Sequence, residues 1–224
     1  MAYTINSEKD LCAMVEEYGF LPLFKNRIPG FSVEEHTPAC LWFSEENEGP
    51  WEWKGPVIKD TGCAYGKFFF GKAGFVSKKW YPDFANYRRD GYDLDARYDD
   101  GLLRKRDKEI FDVLWGKPSL ISKEWRRLAG VEKRGEFDAC VSRLSYMGYV
   151  TIIDFEYQRD RYGSPYGFGL ARYAVPETYF GKDFTDKVYE RDPEESGREI
   201  EEYLKDLLPE ADKKDIQRVL GKRG

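Results

Sequence analysis

Histidine is almost missing from this 224-residue chain, since His36 stands alone. Metal cages built from imidazoles, and triads needing a second histidine, are thereby excluded. Cysteine is scarce too. Cys12, Cys40, Cys63 and Cys140 lie far apart with no C-x-x-C pair, which supports neither a zinc ribbon nor a redox motif. Thiols spread in this way suit a reducing compartment. His36 beside Cys40 or Cys63 would be the remaining thiolate route, but a loop or satisfied core position is expected for it. No apolar run reaches the roughly 18 residues of a bilayer span, and no basic-then-apolar leader opens the chain. Repeats and low-complexity runs are lacking as well. The expectation is a cytoplasmic protein with no membrane contact, no metal and no cofactor.

What is present is a large apolar and aromatic fraction, 41% and 17% of the residues, enough for a sizeable core in one large or two small domains. The net charge of −5 and pI near 5.2 argue against a generic polyanion binder, although a local patch can override the net sign.

The most ordered pattern runs from Asp107 to Tyr173. Ile110, Phe111, Val113 and Leu114 mark one side of a first helix closed by Gly116 and Pro118. Ser119 or Ser122 can cap a short second helix with Trp125 and Leu128 inward and Gly130 as its stop. Phe137, Cys140, Val141, Leu144 and Met147 then give the stripe of a third helix ending at Gly148. The period changes to two from Tyr149 to Tyr157, a polar turn spans Gln158 to Pro165, and Tyr166 to Val175 returns as a second strand. Three helices and a hairpin in this order are those of a winged helix-turn-helix, which points to nucleic acid. Seven basic residues against four acidic ones between Lys117 and Met147 carry the charge in the same direction. Glu136 and Asp138 on the third helix would repel phosphate, so Arg143 and the wing residues Arg159 and Arg161 are the stronger candidates, with Arg134 and Tyr146 beside them.

The N-terminal half opens with Ser7-Glu8-Lys9-Asp10, a capping pattern ahead of a helix through Leu11, Met14, Val15 and Tyr18. Prolines and glycines make Leu21 to Pro50 mostly loop, with short elements near Ser32 to Glu35 and Cys40 to Phe43. Between Trp51 and Arg89 rings and cations interleave. Trp53, Lys54, Arg88 and Arg89 could stack bases and hold phosphates, while rings filling a core with lysine stems along it is the structural alternative. From Arg88 to Gly101 five aspartates alternate with three arginines, either an ion-pair network pinning a loop or a source of a general base such as Asp95. Pro193-Glu194-Glu195 starts a helix lined by Ile200, Tyr203, Leu204, Leu207 and Leu208, and Asp212 to Leu220 forms another. Both are expected to pack back on the body, with a dimerising hairpin as the alternative.

The runs Trp51-Glu52-Trp53-Lys54-Gly55-Pro56, Cys63-Ala64-Tyr65-Gly66-Lys67-Phe68-Phe69 and Phe84-Ala85-Asn86-Tyr87-Arg88-Arg89-Asp90-Gly91-Tyr92 resemble the AlkZ-related bacterial proteins, distant relatives of winged-helix DNA glycosylases of the AlkZ type. The resemblance covers nearly the whole chain. It implies tandem winged-helix units around a DNA channel and hydrolysis of the N-glycosidic bond of altered bases. It also implies a Gln-x-Gln or Gln-x-Asp pair after the first helix that positions water. Here the matching stretch Gly19-Phe20-Leu21-Pro22-Leu23-Phe24 has no polar side chain, and the chain's two glutamines are Gln158 and Gln217.

The fold expected is α+β, a winged helix-turn-helix embedded in a larger mixed domain, with tandem winged-helix units as a variant. Residues 1–103 would be a mixed aromatic-basic region, 104–180 the winged unit and 181–224 C-terminal helices. The leading functional reading is DNA binding without the glutamine pair. Its alternatives are an enzyme in the Trp53 to Asp100 region, with Tyr65 and Lys67 holding substrate and Asp95 as base, and a protein-interaction module.

Overall fold

Ser7 accepts a hydrogen bond from the backbone N–H of Asp10 and starts α1 (Glu8–Tyr18), as the spacing predicts. The computed structural model describes residues 4–42, 48–159, 161–162 and 165–223. After α1 the chain turns at Gly19, whose φ of +66° suits glycine, into β1 (Phe20–Pro22). Two single turns, α2 (Val33–His36) and α3 (Ala39–Trp42), break the following loop, and His36 closes α2 with its Nε2 2.7 Å from the Gly30 carbonyl.

The sequence pattern misses α4 (Pro50–Thr61), because Pro56 and a run of rings read as a broken, strand-like segment. Pro50 opens this helix at a favoured position, and Pro56 sits on its exposed side, so only one backbone bond is forfeited. The hairpin β2 (Ala64–Phe69) and β3 (Lys72–Val76) follows, then α5 (Tyr81–Arg89) and α6 (Leu94–Asp99), the latter capped by Asp93.

The three predicted helices appear as α7 (Lys105–Leu114), α8 (Ser122–Leu128) and α9 (Arg134–Tyr146). A two-residue strand, β4 (Leu120–Ile121), precedes α8 and was not evident from the sequence. Trp125 is fully buried and donates its indole N–H to Ile110, but Leu128, expected inward, is 41% exposed because α8 ends at it. The hairpin is β5 (Thr151–Arg159) with β6 (Pro165–Ala174). Short turns α10 (Pro176–Tyr179) and α11 (Lys182–Thr185) lead to α12 (Pro193–Leu207) and α13 (Lys213–Leu220). Both C-terminal helices pack on the body through Ile200, Leu204, Ile216, Val219 and Leu220.

All strands join one antiparallel sheet in the order β1-β3-β2-β5-β6-β4. This is a mixed α+β architecture. The seam between β2 and β5 is narrow: Tyr65 faces Ile152, and the Thr151 hydroxyl accepts from the Tyr65 N–H (3.1 Å) and donates to its carbonyl (3.2 Å). Alongside, α9 lies against β2, where Ser145 accepts from the Lys67 N–H. A Cβ at Gly66 would come within 2.5 Å of the Ser145 hydroxyl, so the helix can sit this close only over glycine.

The same junction is held from beneath by two guanidiniums. Arg88 is wholly buried and donates to the carbonyls of Phe68, Tyr146, Val219 and Leu220, linking β2, α9 and the C-terminal end of α13. Carbonyls at a helix C-terminus carry partial negative charge, so they serve a cation without a carboxylate. Burial lowers the Arg88 pKa to about 10, which leaves it charged at neutral pH. Arg89, also buried, meets Glu177 at 2.6 Å, the Gly148 carbonyl at 2.7 Å and the Tyr189 hydroxyl at 2.8 Å. Arg97 donates to the Arg89 carbonyl at 2.7 Å. The expected arginine–aspartate pinning within 88–101 is therefore replaced by arginines bonded to carbonyls and to a distant glutamate.

Replacing Arg88 by methionine strands several buried carbonyls, and we expect a loss of about 3–5 kcal/mol in urea unfolding; a loss under about 1 kcal/mol would show that the carbonyls find other donors. Gly66→Ala should cost about 1–3 kcal/mol in the same assay, by prising α9 from β2. A neutral substitution there would mean the seam has slack.

Candidate nucleic-acid interface and adjoining cavity

With Trp125 as its buried anchor, α8 turns Lys123, Arg126 and Arg127 outward. An open groove of about 740 Å³ runs along Lys123, Glu124, Arg126, Arg127, Gly130 and Glu132. A second depression, about 220 Å³, lies between α8, the first turns of α9 and β6, lined by Ser122, Lys123, Arg126, Arg134, Asp138 and Leu170. The two share Lys123 and Arg126 and form one continuous surface carrying the cations Lys123, Arg126, Arg127 and Arg134 and the carboxylates Glu124, Glu132 and Asp138. Among the described residues, Lys123 and Arg127 have no carboxylate within ion-pair distance. Arg134 pairs with Asp138 at 3.4 Å, but both side chains are more than half exposed, so the pair offers little resistance to a competing phosphate.

Beside this groove a cavity of about 280 Å³ opens between α4, β2, α9 and the β5–β6 ribbon. Its walls are the rings of Trp51, Tyr65, Phe155 and Tyr173, with Lys67, Asp138, Ser142 and Ser145 toward α9. Asp138 lines both the groove and the cavity, and the consecutive β6 residues Gly169 and Leu170 line one each, so the spaces adjoin. Lys54 reaches into the cavity from α4. It is 7% exposed, donates to the Trp51 carbonyl at 2.7 Å, and lies 4.4 Å from the Phe155 ring centre and 5.0 Å from that of Trp51. Burial lowers its pKa to about 8, against a smaller opposing pull from Glu52. Burial likewise raises the Tyr65 hydroxyl well above the usual phenol range, so it stays protonated.

The residues expected to bind nucleic acid are scattered by the fold. Arg88 and Arg89 are buried, and their guanidiniums are spent on the carbonyls and Glu177 described above, so neither can meet phosphate. Trp53 is 6% exposed in the core beneath α1 and α4, not a stacking platform. Arg143 forms a two-pronged pair with the buried Asp107, at 2.6 and 2.8 Å, which ties α9 to α7 and commits its charge although part of the side chain is exposed. Tyr146 packs under the Arg88 guanidinium and its hydroxyl accepts from the Lys222 N–H at 2.7 Å. Arg134 is exposed at the groove, and Arg161 is exposed with its guanidinium 4.6 Å over the Tyr162 ring. The Arg159 side chain lies outside the described residues.

Of the catalytic candidates, Tyr65 and Lys67 share the cavity, but Asp95 does not. It projects from α6, 80% exposed, and pairs with Lys108 at 3.1 Å. The aspartate that the fold brings to Tyr65 and Lys67 is Asp138, which in the sequence stands only as a repulsive charge on the third helix. Lys123, Arg126 and Arg127 enter the sequence reading only through the local charge excess. Their placement on the one exposed face of a helix with a single buried ring was the available signal. Among the described residues no group of three or more His, Cys, Asp or Glu is placed to hold a metal, and no helix is long and apolar enough to cross a membrane.

The stretch 19–24 runs through β1, and Phe20, Leu21, Pro22 and Leu23 are all buried. A search of curated protein sequences gives no match. Among solved structures, the Streptomyces sahachiroi DNA glycosylase AlkZ is similar over 97% of this chain and 60% of its own, at 13% identity and a TM-score of 0.48. The chain thus spans about 60% of that enzyme's length. A family model described as AlkZ related matches residues 5–221, and the chain belongs to that family.

Proposed function

We propose that this protein binds DNA through the basic groove of α8 and the first turn of α9, and that residues 104–180 constitute a winged helix with β5–β6 as its wing. The element order α7-β4-α8-α9-β5-β6 and the pairing of β4 with β6 support the winged-helix reading. Residues 1–103 then act as a mixed unit that shares the sheet, and 181–224 as a helical strap across it. A cytoplasmic location accords with four free cysteines.

The observation that carries the reading is the run of cations Lys123, Arg126, Arg127 and Arg134 along two joined depressions in a chain of net charge −5. In an acidic protein a cationic groove next to an aromatic cavity suits a ligand with a phosphate chain and flat bases. The DNA backbone follows the groove, with Arg161 as a further contact from the wing. The C-terminal half of α9 takes little part, because Ser142 and Ser145 are bonded to Lys67 and Tyr146 is packed against the C-terminal segment. A base displaced from a distorted duplex can enter the ring-lined cavity beside Asp138. Water-driven excision has no support from the residues at 19–24, so binding of altered DNA is the function and glycosidic hydrolysis by the glutamine route is not.

Fluorescence anisotropy with an intact and a mismatched duplex over a range of salt concentrations tests this. The double variant Lys123→Ala/Arg126→Ala should weaken binding to both duplexes and reduce the slope of log K against log [salt] by about two. Arg143→Ala should leave that slope unchanged, since its charge is already committed to Asp107. A double variant with wild-type affinity and slope would remove the groove as the contact.

A further inference from the structure

Lys54 is an unusual residue to find in this position. Among the described residues its only hydrogen-bond acceptor is a backbone carbonyl, and no carboxylate lies within ion-pair distance of it. A methylene-rich side chain ending in a methyl group would fill the same space without the cost of desolvating an ammonium. Yet the amine is not sealed in the core. It borders the 280 Å³ cavity, between the faces of Trp51 and Phe155, next to Tyr65 and Tyr173. Such a cage tolerates the cation through its ring faces but supplies no counter-charge, and burial brings the amine's pKa down to about 8. Burial therefore favours the neutral, nucleophilic form of this amine over that of an exposed lysine.

Resting on the DNA-binding reading above, the electrophile can be narrowed by chemistry. Intact DNA presents no carbonyl carbon that a lysine amine condenses with readily. A deoxyribose that has lost its base does, because its ring opens to an aldehyde at C1′. It also lacks the base, so the sugar can swing from the duplex into a cavity of this size at reduced unstacking cost. We propose that Lys54 is the nucleophile of a covalent site for base-less deoxyribose in DNA, capturing the C1′ aldehyde as an imine.

The neutral Nζ donates its electron pair to C1′, a C–N bond forms, and the carbonyl π bond breaks to give a carbinolamine after proton transfer from nitrogen to oxygen. Loss of that hydroxyl as water, with a proton supplied by solvent at the cavity mouth, leaves a protonated imine. No oxidation or reduction occurs. Asp138 lines the same cavity at its junction with the groove, and the groove cations hold the flanking phosphates.

Two trapping experiments on the full chain test the site. In the first, free 2-deoxyribose and cyanoborohydride are added at pH 7.5 and modified lysines are mapped by peptide mass. Lys54 should be labelled at least about tenfold faster than Lys67 or Lys123, because its amine is held between the Trp51 and Phe155 rings at the wall of the cavity that takes the sugar. Labelling of Lys54 no faster than theirs overturns the inference in the wild-type protein, independently of any variant. In the second, a duplex with one base-less site is incubated with protein and borohydride, and a covalent protein–DNA adduct is read on a denaturing gel. The adduct should map to Lys54 and fall by on the order of tenfold in Lys54→Met, which is expected to fold at least as stably as wild type. Bound duplex with no adduct, or an adduct of equal yield in the variant, overturns the DNA substrate while leaving the groove reading intact. No duplex binding at all removes the groove reading, and the DNA-borne substrate with it.

Discussion

Two adjacent guanidiniums, Arg88 and Arg89, hold together parts of the chain that have little else in common. Their burial is costly, and it is offset by acceptors gathered around both forks: carbonyls at the ends of β2, α9 and α13 for Arg88, and Glu177, Gly148 and Tyr189 for the two terminal nitrogens of Arg89, whose Nε is left without a partner. The planar fork matters, since a lysine at either position could not reach acceptors arranged around a plane. Gly221 is part of the same arrangement, because a side chain there would occupy the space of the Arg88 guanidinium. The sheet seam at Tyr65 and Thr151 is narrow, and α9 is fixed against β2 by Arg88, which donates to both Phe68 and Tyr146, together with the bonds from Lys67 to Ser142 and Ser145.

That orientation decides which surfaces are open. With Ser145 set against Gly66, and Tyr146 against Arg88 and Lys222, the C-terminal half of α9 is engaged inside the protein. The free surface shifts to α8 and the first turn of α9, where four cations line the groove. The gap left between α4, β2 and the ribbon becomes the ring-walled cavity holding Lys54. Groove and cavity thus follow from one packing choice, in a member of the AlkZ-related family.

The periodic elements were legible in the residues alone. Phe137, Cys140, Val141 and Leu144 on α9, the switch to alternation after Tyr149, and the Ser7 cap all specify local structure by short-range chemistry. The helix α4 was not, because prolines at its first turn and on its exposed side look like breaks until the tertiary packing of Trp53, Val57 and Ile58 is known. β4 was too short to leave a period. The arginines misled most: Arg88-Arg89-Asp90 in a charged run reads as a solvated face, and only the fold reveals carbonyls converging on it. Lys54, Tyr65 and Lys67 stand in a stretch that mixes rings and charge and do meet around one cavity, though Lys54 lies in its wall and not at an open surface. Asp138 could not be joined to them from sequence, since it lies on a helix more than 70 residues away in the chain.

Hydrogen–deuterium exchange of the full chain with and without duplex DNA tests the placement of the ligand most directly. Slowed exchange over residues 122–134, with residues 161–162 also protected and the C-terminal half of α9 unchanged, is the predicted result. Unchanged exchange over 122–134 in a DNA complex confirmed by anisotropy would contradict it.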